Sequence, residues 1–178
     1  DGTAPAVTAV TSTTADGSYS LGETIAITIT LEEVVTVTGT PQLTLETGTS
    51  DAAADYASGS GTTVLTFNYT VAEGDTNSDL AYQSTSALAF NSGTIRDAAG
   101  NDANLTLPTP GATGSLSAVK ALVIDGVVPT ITNVTSNAAD STYNVGDTLD
   151  IIVQFSETMT VGTASLGCGD FLINSLPF

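Results

Sequence analysis

Asp75, Asn77 and Asp79 place an oxygen-bearing side chain at every second residue of the segment EGDTNSDL. A tight loop can fold such a trio around one hard cation, as the first half of an EF-hand loop does. Glu73 offers a further carboxylate. Leu80 and Ser86 stand where an EF-hand needs its turn glycine and its closing glutamate, so the segment is not an EF-hand. Without a metal it reads as a polar hairpin loop. A second group, Asp97, Asn101 and Asp102, lies in RDAAGND, where Gly100 permits the turn that gathers the oxygens. Its two readings are a cation site and an Asx turn in which Asp97 and Asn101 bond to their own backbone.

The charge balance makes these oxygens the chemistry to explain. The 178 residues include 19 acidic and 2 basic side chains, for a formal charge of -17. Arg96 and Lys120 are the basic pair, so binding to a nucleic-acid backbone lacks its main electrostatic term. Carboxylates at this density repel one another in a compact state, and Ca²⁺ is the counter-ion suited to hard oxygen ligands. Histidine is absent, which excludes Ser-His-Asp and Cys-His machinery and the common zinc sites. With no tryptophan and 6% aromatic residues, nothing places two carboxylates across an aromatic cleft, and the expectation is a protein that is not an enzyme. The single cysteine, Cys168, forms no internal disulfide. No run approaches the ~18 apolar residues of a membrane span, so membrane insertion is not expected. The chain starts at Asp1 rather than Met, as expected of a processed form or a fragment.

The elements that must position these groups follow from self-similarity. The stretch DGTAPAVTAVTSTTADGSYSLGETIAITITLEE, from Asp1, returns as DGVVPTITNVTSNAADSTYNVGDTLDIIVQFSE, from Asp125, an offset of 124 residues. Pro5 matches Pro129, Tyr19 matches Tyr143, Gly22 matches Gly146 and Glu33 matches Glu157. The similarity stops after Leu166. The expected domains are a full repeat at 1–124, a partial second repeat at 125–166 and a divergent hydrophobic tail at 167–178. The joint VIDGVVP is short and contains a proline, which suggests a semi-rigid string.

Alternation at period 2 predicts strands at 7–11, 24–31, 42–46, 64–71, 80–82, 87–90, 105–107 and 119–124. Ile25, Ile27, Ile29 and Leu31 share one face, as do Leu65, Phe67, Tyr69 and Val71. ADGS, SGSG, EGDTNSD, NSG and DAAGND read as turns. The fold class expected is all-β, an immunoglobulin-like β-sandwich, one full repeat plus the N-terminal part of a second. Asp16 reads as a turn residue, and Tyr19 and Tyr143 as edge tyrosines hydrogen-bonded through the hydroxyl.

The order of DGTAP, GETIAITITLEEVVTV, PQLTLETG, AEGDTNSDLAY, GTIRDAAGN and ALVIDG along the chain resembles the bacterial immunoglobulin-like tandem repeats of large extracellular adhesins of the biofilm-associated and RTX type. The resemblance covers 1–126 and, as a partial copy, 125–166. It implies a surface module in a tandem array that holds an adhesive tip away from the bacterial cell, with neighbouring repeats as partners and Ca²⁺ stiffening loops and joints. It further implies that the loop with Asp97 and Asn101 approaches the domain end, with Glu33 as companion ligand, and that Asp1 and Asp125 sit at equivalent joints. A different reading starts from the partial repeat. One third of a sandwich leaves Ile151, Val153 and Phe155 uncovered, so the chain is alternatively a filament subunit completed by a strand from another copy, a role that FLINSLPF would suit.

Overall fold

Threonine and alanine alternate with isoleucine from Thr24 to Thr30, and in the computed structural model, which describes residues 2–158, this alternation becomes the central strand. The chain divides into two compact units, Asp1–Val127 and Val128–Phe178. The first contains β1 (Val7–Ser12), β2 (Gly17–Ser20), β3 (Thr24–Thr38), β4 (Gln42–Glu46), β5 (Ala52–Ser58), β6 (Thr62–Thr70), β7 (Thr76–Asn77), β8 (Ala81–Tyr82), β9 (Leu88–Ala89), β10 (Thr94–Arg96), one helical turn α1 (Leu116–Val119) and β11 (Leu122–Asp125). The fold is an all-β sandwich. A curled sheet in the order β1-β3-β6-β5-β4-β8 also takes up β10 beside β3 and β9 beside β4, and a smaller sheet has the order β2-β11-β7.

β3 and β6 run antiparallel with Ile25 opposite Tyr69, Ile27 opposite Phe67 and Ile29 opposite Leu65. All six side chains are at most 1% exposed, and they pack with Val10, Leu43, Leu45, Tyr82, Ile95, Leu116 and Leu122. Burying each of the large aliphatic chains stabilises by about 1.5–3 kcal/mol. The Tyr56 ring meets Phe67 edge-on at 5.9 Å. β3 does not end at Leu31 as the alternation suggested. Its pairing with β6 shifts between Thr30 and Val35, and the irregular stretch carries the adjacent charges Glu32 and Glu33 past the ladder. The strand then resumes and pairs Thr36–Thr38 with β10.

Three further expectations change. Residues 105–107 form no strand, although Leu107 is buried. Pro108 and Pro110 bracket the end of this stretch and offer no amide to a ladder. Residues 119–124 divide between the end of α1 and β11, with Leu116 fully buried beneath the turn. β2, β5, β7 and β10 went unforeseen. β5 reads AAADYAS and has few strand formers, yet β4 and β6 hold it from both sides. Tertiary pairing overrides local propensity there.

The second unit contains β12 (Ile131–Ser136) and β13 (Ile151–Phe155). Its internal geometry copies the opening hairpin of the first unit. β12 pairs with β13 as Asn133↔Gln154, Val134↔Val153, Thr135↔Ile152 and Ser136↔Ile151, with a register shift between Ile131 and Asn133. β1 pairs with β3 as Ala9↔Thr30, Val10↔Ile29, Thr11↔Thr28 and Ser12↔Ile27, with its shift between Val7 and Ala9. The side-chain bonds repeat as well. Thr8 Oγ1 donates to the Thr30 carbonyl at 3.1 Å, and Thr132 Oγ1 to the Gln154 carbonyl at 3.1 Å. The Ser20 amide donates to Glu23 Oε2 at 2.6 Å, and the Asn144 amide to Asp147 Oδ2 at 2.7 Å. Tyr19 donates to the carbonyl of Ala15, and Tyr143 to that of Ala139. Ile151 and Phe155 are 44% and 38% exposed, while Val153 is half-buried rather than open. The expectations for residues 159–166 and for the tail at 167–178 lie outside the described residues. No helix among the described residues is long and apolar enough to cross a membrane.

Between β9 and β10 the chain turns through Asn91 and Ser92, both with positive φ, and Gly93 follows. A Cβ on Gly93 would lie 2.3 Å from the Thr38 carbonyl oxygen, against the pairing of β3 with β10. The variant Gly93→Ala is expected to lose about 2 kcal/mol in urea denaturation, because backbone must move to admit the methyl group.

Candidate functional site

The first carboxylate group forms where β6 leaves the sheet. Tyr69, the last inward residue of β6, donates its hydroxyl to Asp75 Oδ2 at 2.7 Å, and the Ala72 amide donates to the same oxygen at 2.9 Å. Asp75 is 8% exposed. Burial first, then the bond to Asp75 and its charge, push ionisation of the Tyr69 hydroxyl well above the usual phenol range. The Asp75 carbonyl accepts the Gly126 amide at 2.7 Å, and Gly126 in turn accepts the Gly74 amide at 3.0 Å. A Cβ on Gly126 would lie 2.2 Å from the Ala72 carbonyl oxygen, so glycine is required where the closing strand meets this turn.

Asp75, Asn77 and Asp79 are adjacent but do not wrap a common centre. Asp75 points inward to Tyr69. Asn77 accepts the Asp79 amide through Oδ1 at 2.8 Å and donates Nδ2 to the Glu46 carbonyl at 2.7 Å. The carboxylate of Asp79 is exposed, as is that of Glu73. β7 pairs Asn77 with Ile124 and Thr76 with Asp125. Asn77 and Asp125 therefore line one open groove of about 340 Å³, together with Thr76, Ser78, Val123 and Ile124. Asp125 Oδ1 accepts the Val127 amide at 3.3 Å.

The second group is a turn closed on itself. Asp97 Oδ1 accepts the Asn101 amide at 2.8 Å, and its Oδ2 accepts Asn101 Nδ2 at 2.7 Å. Asn101 Nδ2 also reaches the Thr3 carbonyl at 3.2 Å, fastening the start of the chain to this loop. Asp97 is 7% exposed. Burial opposes its ionisation, but the side chain and amide of Asn101 and the amides of Gly100 and Ala99 outweigh it and hold the carboxyl below the usual range. Asp102 turns away to Arg96, Nε to Oδ1 at 2.6 Å. The Arg96 bond lowers the Asp102 ionisation as well. Glu33 is half-buried in the irregular part of β3.

The structure keeps the two groups apart. Glu33, Asp97, Asn101 and Asp102 lie toward the end of β3 that pairs with β10, while Asp75, Asn77, Asp79 and Asp125 lie beyond its beginning, where Thr24 pairs with Thr70. The intervening strand has a contour of about 40 Å at the ordinary rise per residue. Asp125 therefore shares no site with Asp97 within one repeat. Among the described residues no three His, Cys, Asp or Glu side chains converge as a metal group.

One structural contact escaped the sequence. Asp16, expected to be a turn residue, accepts Lys120 Nζ at 2.9 Å and the Ala121 amide at 3.2 Å. The Gly17 amide donates to the Ala121 carbonyl at 3.0 Å, and β2 then runs parallel to β11. The bond from Lys120, followed by that from the Ala121 amide, lowers the Asp16 ionisation. Its signal in the sequence was the pairing of a lone lysine in the closing segment with an acidic residue before the second strand. Comparison of the chain with protein-family models, with curated proteins and with solved structures finds no match.

Two outcomes follow. Tyr69→Phe removes one of two donors to a buried carboxylate oxygen and is expected to cost about 2 kcal/mol in denaturant unfolding. Asp97 has a folded-state ionisation below its unfolded value of about 3.9, so its contribution is present above that pH and lost as pH falls through the folded value. The melting-temperature gap between the parent and Asp97→Ala should therefore be constant near neutrality and close below about pH 4.

Proposed function

We propose that this chain is a non-catalytic structural module of a large extracellular bacterial surface adhesin, one repeat and part of the next in a tandem array that holds an adhesive tip away from the cell. The observation that carries the reading is the repetition at 124 residues of a register shift, five cross-strand residue pairs and a set of side-chain hydrogen bonds. A protein that copies its opening hairpin in such detail is built for length rather than for one pocket. The joint between copies supports it: the Asp-Gly pair that opens the first repeat recurs as Asp125-Gly126, where Gly126 is tied into the first unit through Asp75.

Ca²⁺ belongs to the proposal through charge. With 19 acidic residues against 2 basic ones, and both basic residues already paired with Asp16 and Asp102, the remaining carboxylates have no protein cation to offset them. Asp79 and Asp125 are exposed candidates and Glu33 is half-buried, and Asp125 marks the joint.

Thermal unfolding with EDTA, followed by addition of Ca²⁺ or Mg²⁺, tests this part. A cation bound only to the folded state stabilises by about 2.7 kcal/mol at a hundredfold excess over its dissociation constant. A fall of melting temperature in EDTA that Ca²⁺ alone restores is the expected result. An unchanged melting temperature would remove calcium from the proposal and leave the carboxylates as hydrogen-bonding fasteners and solvated surface.

A further inference from the structure

The hairpins that open the two units share a register but not an environment. In the first, Val10, Ile27 and Ile29 are 0% exposed and Leu31 is 3% exposed. Their counterparts Val134, Ile151 and Phe155 are 58%, 44% and 38% exposed, with Val153 half-buried. In the first unit β6 pairs along the edge of β3, with Leu65 opposite Ile29 and Phe67 opposite Ile27, and Leu43, Leu116 and Leu122 join the same core. Among the described residues β13 pairs with β12 alone, and no described strand lies along its second edge, beside an apolar face.

We propose that the second edge of β13 is a strand acceptor whose occupant is an extended segment with the chemistry of β6, running antiparallel, its Leu65-like residue opposite Val153 and its Phe67-like residue opposite Ile151. The first unit supplies the template for register and direction. Charge selects the occupant further. Asp147, Asp150 and Glu157 flank the acceptor, and no basic residue lies in the second unit. A second copy of the same hairpin laid face to face would oppose these charges with their own kind, whereas β6, TTVLTFNYT, is uncharged. Main-chain bonds to the edge supply affinity and alternate side chains supply selectivity, as in strand addition generally. The acceptor stands on the geometry of the second unit and does not depend on calcium or on the array reading.

The test uses the full chain with Cys168→Ser and Val153→Cys, and synthetic peptides of residues 62–71 under mild thiol-disulfide exchange. The peptide with Leu65→Cys should be trapped on Val153→Cys, while the peptide with Tyr69→Cys and a scrambled peptide should not. Binding of the unmodified peptide should weaken by at least roughly tenfold in Ile151→Lys, which sets a charge in the apolar face, and stay unchanged in Ile152→Thr, on the opposite face. Equal trapping in both registers, equal binding of the scrambled peptide, or no binding would overturn the proposal. So would a Val153→Cys homodimer that excludes the peptide, because the face would then be filled by a second copy.

Discussion

β3 and β6 stay paired over seven consecutive positions, from Thr24↔Thr70 to Thr30↔Val64, and every inward side chain of that pairing is out of water. The rest of the first unit is arranged around it. β1 and then β10 take the remaining bonds of β3, β5 takes those of β6, and the smaller sheet closes over the apolar face through Leu122 and Ile124. Among the described residues the second unit shows the same hairpin without that partner strand. Its backbone register survives, and its apolar residues meet solvent. Register is local to the hairpin, whereas burial needs the neighbouring strand and the layer packed on the sheet's face.

With a charge of -17, the fold uses its carboxylates as acceptors instead of simply displaying them. Asp75 gathers Tyr69, the following turn and the closing strand. Asp97 and Asn101 close the loop after β10 and hold the chain start at Thr3. Asp16 fastens β2 to β11 through Lys120. Each contact satisfies amide or hydroxyl donors at a strand end, where the ladder leaves them over, and for Asp16 and Asp97 these donors favour the ionised form. An acidic chain thereby stabilises its corners with the charges that otherwise repel one another.

The same corners lie toward opposite ends of β3 in the first unit. One carries the Asp97 loop with Thr3, and the other carries the Asp75 turn with Asp125 and Gly126.

The alternation of Ile25, Ile27, Ile29 and Leu31 with polar residues, and of Leu65, Phe67 and Tyr69 with Thr66, Asn68 and Thr70, determined the central strands by itself, because side chains of a half-buried strand must alternate between core and water. The 124-residue repeat was equally open to reading, since the same residues at the same offsets make the same turns. What only the tertiary structure decided is where short or weakly patterned segments go and what the carboxylates do. β5 is a strand because two neighbours pair with it. Residues 105–107 are not, because no ladder partner reaches them. Asp75, Asn77 and Asp79 have metal-like spacing, but spacing along a chain does not give direction in space. The fold turned Asp75 toward a buried hydroxyl and Asn77 toward a backbone carbonyl, because donors left unpaired at strand ends lay within reach.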